Sequence, residues 1–178
     1  MGAAEVDHRP GAQVHGRPPA PVAFRAVRIS AKADYALRAA AELAAAGGGP
    51  VKGDRLATAQ GIPPKFLENI LSDLRQNGLI RSQRGSEGGY WLARPAAEIS
   101  VADIMRAVDG PLASVRGQRP EEVDYTGAAE QLQRVWIAVR HNLREVVEQV
   151  TVADLAAGRL PAPVTRLAED PEAWVTRR

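Results

Sequence analysis

Residues 54–93 read DRLATAQGIPPKFLENILSDLRQNGLIRSQRGSEGGYWLA. Asp54 is placed to cap a short helix carrying Leu56, Ala57 and Gln60, and Gly61 breaks it. Pro63 and Pro64 suit the opening of a second, longer helix, where a missing N–H costs nothing. Its apolar positions, Leu67, Ile70, Leu71 and Leu74, recur at helical spacing, and Asn77-Gly78 supplies the stop. Two strand-like runs, 79–83 and 90–93, then flank Arg84-Gly85-Ser86-Glu87-Gly88-Gly89, a glycine-rich hairpin tip.

The flanking sequence extends this pattern. Upstream, Ser30 is a good N-cap for a helix bearing Ala33, Ala36, Leu37, Ala40, Leu43 and Ala44, which Gly47-Gly48-Gly49-Pro50 ends. Three helices followed by a two-stranded hairpin is the order of a winged helix-turn-helix. Downstream, Pro95 closes the second strand, and Ser100 and Asp103 form a capping-box start for a helix with Ile104, Met105 and Val108. Gly110-Pro111 stops that helix, and residues 112–125 read as a loop. A long helix is expected over about 127–150, with a stripe of Leu132, Val135, Trp136, Val139, Leu143, Val146, Val147 and Val150. Thr151 and Asp154 cap one last short helix. The fold is therefore mainly α, a winged helix-turn-helix of three helices plus a two-stranded β wing, with a long C-terminal dimerisation helix. The expected division is a disordered leader at 1–26, a DNA-binding domain at 27–95, a linker and dimerisation helix at 96–157, and a flexible tail at 158–178.

Composition narrows the chemistry. The 178 residues include no cysteine, which removes disulfides, thiolate nucleophiles and cysteine-ligated metal sites. No apolar run approaches the roughly 18 residues of a membrane span, and no signal-peptide core opens the chain, so the protein is expected in the cytoplasm. Residues 28–95 carry ten Lys/Arg against six Asp/Glu, whereas residues 96–178 carry ten against thirteen. A basic first half on an acidic second half suits a nucleic-acid contact at one end. His8 and His15 fall in the leader and read as solvated. His141 lies between stripe positions and reads as surface or dimer edge. No catalytic or metal-binding constellation emerges, and no cofactor is expected.

On the longer helix of the motif, burial of the Leu/Ile stripe leaves Lys65, Glu68, Asn69, Ser72 and Gln76 on the opposite face, able to meet base edges and phosphates. A carboxylate facing DNA is repelled by phosphate, so Glu68 is tolerable where it accepts from a cytosine amine. Arg84 stands where a wing would place a guanidinium in a narrow minor groove. Glycines at 85, 88 and 89 permit the backbone conformations of a tight tip. A phosphate-binding loop is excluded here, because no Lys-Ser/Thr pair follows and no helix begins there.

Several co-linear motifs now carry a resemblance: Ser30 through Ala36, Gly61-Ile62, Phe66-Leu67-Glu68, Leu74 through Ile80, Arg84-Gly85, Gly88-Gly89-Tyr90, Ala107 through Gly110, Trp136, and Thr151 through Leu155. Over about 27–157 the chain resembles the Rrf-two family of bacterial winged helix-turn-helix regulators. The resemblance implies a homodimer on a palindromic operator, with Pro63, Phe66 and Glu68 at the family's base-reading positions and Arg84 as its minor-groove arginine. Iron–sulfur members of the family carry three cysteines in the loop matching 111–128, and this chain has none there. It is similar to the cysteine-free branch, which includes regulators of sulfur and cysteine metabolism.

The resulting expectation is a sequence-specific regulator, a repressor acting as a homodimer without an iron–sulfur cluster, and not an enzyme. The DNA-contacting set is Lys32, Pro63, Pro64, Lys65, Phe66, Glu68, Asn69, Ser72, Arg75, Arg84 and Ser86. The dimer interface is the stripe from Leu132 to Val150. Arg116 and Arg119 are candidates for an anionic small-molecule effector, and a metabolic-enzyme partner is the other source of a signal. The alternative function is a protein-interaction module whose winged helix docks a partner protein, with DNA binding secondary.

Overall fold

The first helix is built to be approached closely. In the computed structural model, which describes residues 29–176, the Ser30 hydroxyl accepts from the Ala33 amide at 2.9 Å and starts α1 (Ala31–Ala45). Ala33, Ala36, Ala39 and Ala40 are wholly shielded from solvent. Side chains this small let neighbouring helices settle near the α1 backbone at interior packing density. The elements that do so include α4 (Val101–Asp109) and α6 (Val152–Ala157).

The helix-turn-helix follows as α2 (Gly53–Gln60) and α3 (Pro64–Gln76). Gly61 sits in the left-handed region (φ 60°) between them, a conformation that favours glycine. Asp54 does not cap α2. Lys52 occupies the N-cap position, and Asp54 lies in the first turn, where its charge favours the helix dipole. Leu67, Ile70, Leu71 and Leu74 are buried as their spacing required. The wing comprises β1 (Ile80–Gln83) and β2 (Gly89–Leu92), antiparallel, with Ile80 opposite Leu92 and Gln83 opposite Gly89. The free edge of β2 gains a single further bridge, as Val51 and Tyr90 exchange backbone hydrogen bonds of 2.9 and 2.8 Å.

The starts of α4 and α6 lie side by side. Ser100 and Thr151 head capping boxes completed by Asp103 and Asp154. The two caps form an antiparallel bridge, the Val101 amide donating to the Val150 carbonyl and the Val152 amide to the Ile99 carbonyl, both at 2.8 Å. The Thr151 hydroxyl and amide hold the Asp154 carboxyl below its usual range. One hydrophobic cluster runs from Ala33 through Leu74 and Ile104 to Val152, crossing the expected boundary at 95/96 without a break.

The larger differences fall in the C-terminal half. The long helix is α5 (Leu132–Val147), shorter than the expected 127–150. Its start is delayed because Gly127, with φ 60°, opens a 3-10 turn (Gly127–Ala129). Its end comes early because Val150 is drawn into the bridge with Val101. Residues 158–178, expected as a flexible tail, contain α7 (Ala162–Glu169), with Pro163 in its first turn and Val164 buried. The expected leader at 1–26 lies outside the described residues.

Ala36→Leu should overpack the α1 contact and cost about 1–3 kcal/mol, lowering the urea midpoint. Ala31→Leu, on the exposed face of the same helix, should leave the midpoint nearly unchanged. Equal midpoints for the two variants would contradict the close packing described.

Candidate nucleic-acid interface

The two prolines that open α3 shape its exposed end. Pro63 takes the N-cap position and Pro64 the first helical position, so two amides that would need partners are absent. No side chain caps this terminus, and the positive end of the helix dipole is left facing outward. Pro63, Pro64, Lys65, Phe66, Glu68 and Asn69 are all exposed along the first two turns. Ser72 is half-buried and accepts from Gln76 at 3.2 Å, and Arg75 is exposed in the last turn. The side chains read as a polar face therefore share one surface.

Phe66 is 40% exposed, unusual for a large aromatic group. Its ring meets Tyr35 edge-on, centroids 5.7 Å apart, and the Arg38 guanidinium lies 5.2 Å from the Tyr35 ring on the neighbouring helix. The exposed aromatic is thus held in one orientation by α1. Lys32 behaves differently from its expected companions. Its ammonium pairs with Asp73 at 2.6 Å and donates to the Val108 carbonyl at 2.9 Å, joining α1, α3 and α4. That charge is committed within the fold.

The wing tip is fixed by contacts that sequence spacing does not show. Lys52, 33 residues upstream, donates to the Gly85 carbonyl at 2.8 Å and to the Ser86 carbonyl. A Cβ on Gly88 would lie 2.1 Å from the Gln83 carbonyl oxygen, and one on Gly89 would lie 2.7 Å from that of Val51. These glycines are required by close backbone approach, while Gly85 (φ 106°) is the tip residue in a conformation that favours glycine. Arg84 and Ser86 are exposed beside them, and among the described residues no ion pair ties Arg84 down. Just behind the wing tip Tyr90 shares a small cleft with Lys52, Asp54, Pro64 and Glu68, which brings hairpin and α3 together.

The α5 stripe is divided. Val135 and Val139 are 49% and 40% exposed, and Ile137, which the stripe omitted, is 38% exposed. Leu132 is half-buried, as is Trp136, whose indole donates to the Tyr125 hydroxyl at 3.1 Å. Leu143 and Val146 pack against the core, and Val147 and Val150 are buried within the protomer. Of the effector candidates, Arg116 has φ 54° and lies 5.9 Å from the Tyr125 ring, while Arg119 lines a cleft with Arg106, Arg140 and Arg144. His141 is exposed, 3.9 Å from Glu145.

This arrangement of helices, turn and wing defines a winged helix-turn-helix protein. Residues 29–158 match the Rrf2 family, described as "Iron-dependent Transcriptional regulator", and the chain belongs to that family of DNA-binding regulators. It is 53% identical over 153 residues to a protein of Mycobacterium tuberculosis strain H37Rv named for an HTH-type transcriptional regulator, covering 85% of this chain and 95% of the relative. The structure of CymR, titled the global cysteine regulator of Bacillus subtilis, aligns with a TM-score of 0.62 at 33% identity, covering 74% of this chain and 97% of that one. The structure of IscR from T. potens aligns with a TM-score of 0.58 at 30% identity over 85% and 93% of the two chains.

The family description implies iron, but the donor set of this chain does not fit a thiolate-held cluster. Cysteine is absent from the whole sequence, and the described residues contain no group of three His, Asp or Glu placed to hold a metal ion.

Gly88→Ala should unseat the wing tip while the helical core stays folded. Far-UV circular dichroism should be unchanged, and amide exchange over residues 84–89 should accelerate by about tenfold or more. Unchanged exchange would mean that the tip accommodates a methyl group.

Proposed function

We propose that this protein is a cytoplasmic repressor that binds a palindromic operator as a homodimer and works without an iron–sulfur cluster. One observation carries the reading: an uncapped, exposed α3 N-terminus stands beside a wing whose tip arginine has no ion pair among the described residues. In this reading α3 enters the major groove. Phe66 offers apolar contact to a thymine methyl, and Glu68 accepts from a cytosine amine. Pro63 and Pro64 let the backbone approach. Lys65, Asn69, Ser72, Arg75 and Ser86 are assigned to phosphates and neighbouring bases, and Arg84 to the minor groove. Lys32 acts at one remove, by holding α3 to α1 and α4. The 33% identity to CymR supports control of sulfur or cysteine metabolism.

Dimerisation is assigned to the outward part of α5. Val135 and Val139, one turn apart, form an exposed apolar surface that a second copy would cover, and Leu132 and Trp136 lie at its border. A two-fold mate there would set two α3 helices about 34 Å apart, one turn of DNA.

Selection of bound sequences from random duplexes should return a two-fold symmetric consensus. Arg84→Ala should then weaken operator binding by about 5- to 150-fold at fixed salt, the worth of about 1–3 kcal/mol for one charge-assisted groove contact. Glu68→Ala should relax preference at one base pair more than it lowers affinity. Wild-type affinity in Arg84→Ala would remove the wing assignment. Binding insensitive to salt would instead favour a protein partner for the winged helix.

Light scattering should report a dimer at micromolar concentration, and Val139→Asp should convert it to monomer by placing a carboxylate in an apolar seam. A wild-type monomer would remove the dimer and the palindrome together.

A further inference from the structure

The cleft between the last turn of α4 and the outer face of α5 gathers cations from three separate segments. Arg106 from α4, Arg119 from the connecting loop, and Arg140 and Arg144 one turn apart on α5 line a cavity of about 400 Å3. Most of the nearby carboxylates lie outside the lining. Glu121 pairs with Arg140, and its carboxyl is held below the usual range by its own backbone amide and then by that guanidinium. Glu148 is shared between Arg106 and, at 3.9 Å, Arg144. Asp103 bridges two arginines through its two oxygens, Arg94 at 3.2 Å and Arg106 at 3.8 Å. Glu122 accepts from the Arg119 backbone amide at 3.2 Å and Glu121 feels the Arg119 charge, yet among the described residues no carboxylate is in ion-pair contact with the Arg119 guanidinium. Of the residues that line the cavity itself, four are arginines and one, Glu121, is a carboxylate.

A guanidinium presents a planar fork of donors suited to oxyanions, and groups converging from different elements suit a tetrahedral one. The remaining wall is Gly110, Pro111, Leu112 and Ala113, which offers apolar contact to an organic body. We propose that this cleft binds a small metabolite through a dianionic tetrahedral group, a phosphate monoester, seated on Arg119 and Arg144 with its carbon skeleton against Pro111 and Leu112. Arg140 and Arg106, closely paired with Glu121 and Glu148, form the rim, while Arg144 keeps only the longer 3.9 Å contact with Glu148.

The site also has a route to the proposed DNA-binding face, and this part rests on the regulator reading. The same last turn of α4 accepts from Lys32 at Val108 and from Asn77 at Ala107 (3.2 Å), and Asp109 accepts from Ser30 at 2.6 Å. A ligand that draws α4 and α5 together therefore acts on the turn that holds the start of α1 and the end of α3. It shifts operator affinity by as much as it prefers one arrangement over the other.

The test is calorimetric titration of the full chain with glycerol 3-phosphate, inorganic phosphate, sulfate and succinate at constant ionic strength. Saturable binding of glycerol 3-phosphate, one per chain and tighter than the other three, is expected. Arg119→Ala and Arg144→Ala should each weaken it by about tenfold or more, with Arg119→Lys partly restoring it. Thermal melting verifies that the variants fold. Arg84→Ala should bind as wild type, because anion capture at the DNA-binding face would be lost in that variant. Absence of saturation with all four ligands, undiminished binding in the double Arg119/Arg144 variant, or loss in Arg84→Ala would overturn the site. Preference for succinate would overturn the phosphate assignment, and equal affinity for bare phosphate or sulfate would overturn the seat for a carbon skeleton. Operator binding is measured separately with and without glycerol 3-phosphate. An unchanged affinity with the ligand bound defeats the regulatory link alone, whereas failure to bind any duplex defeats the regulator reading and leaves the anion site standing.

Discussion

The alanine face of α1 is the constraint from which the rest of the structure follows. Four shielded alanines give α4 and α6 room to close on one helix, and no larger side chain fits there without moving them. Once α4 and α6 are placed, their N-termini meet, and the bridge between Ser100 and Thr151 locks two capping boxes together. The far end of α4 then lies against the start of α1 and the end of α3, where Lys32, Ser30 and Asn77 tie it down. The pitch of α3 is thus set by how closely helices distant in sequence can pack.

The wing is positioned by a second, mainly polar arrangement. Backbone pairing of Val51 with Tyr90 fixes the hairpin just behind its tip, and the Lys52 ammonium fixes the tip itself. Adjacent residues thus hold the same outer end of the hairpin, one through the backbone and one through the side chain. The absence of side chains at Gly88 and Gly89 is what lets the backbone segments approach. Lys52 also places a positive charge beneath the tip without spending Arg84, so the potential of the wing exceeds what its own sequence supplies.

Much of this was legible in residue order, for local reasons. Ser30, Ser100 and Thr151 cap helices, and Gly61, Gly78 and Gly110 end them, because caps and left-handed turns are decided within a few residues. The Leu/Ile stripe of α3 fixed which of its side chains are exposed. What was not legible depends on distance through space. Asp54 was the better cap by type, yet the chain enters α2 two residues earlier, led by the Val51 bridge. Lys32 and Lys52 look alike as surface cations, and only the fold commits both to carbonyls. The stripe of α5 was periodic throughout, but period does not say which half meets the protomer's own core. Proline at 161 and 163 and glycine at 158 suggested a frayed tail, although proline near position 163 equally suits the first turn of α7. The arginine cleft draws on positions 106, 119, 140 and 144, with no spacing that marks them as a group.

The loop before α5 does not merely precede it. Gln133 donates to the Glu121 and Val123 carbonyls, Trp136 to Tyr125, and Arg140 pairs with Glu121, so residues 121–125 are bound along the helix they lead into. Helix and loop thus form one stiff beam, fixed to the body near Leu143, Val146 and Val147. From that fulcrum to Leu132 is about 11 residues, or about 16 Å at the rise of an α-helix. A tilt of about 5° at the fulcrum carries the far end by a little over about 1 Å, enough to alter side-chain packing there. The molecule therefore has mechanical gain built into its longest helix, and displacements too small to disturb the core are enlarged at the beam's outer end.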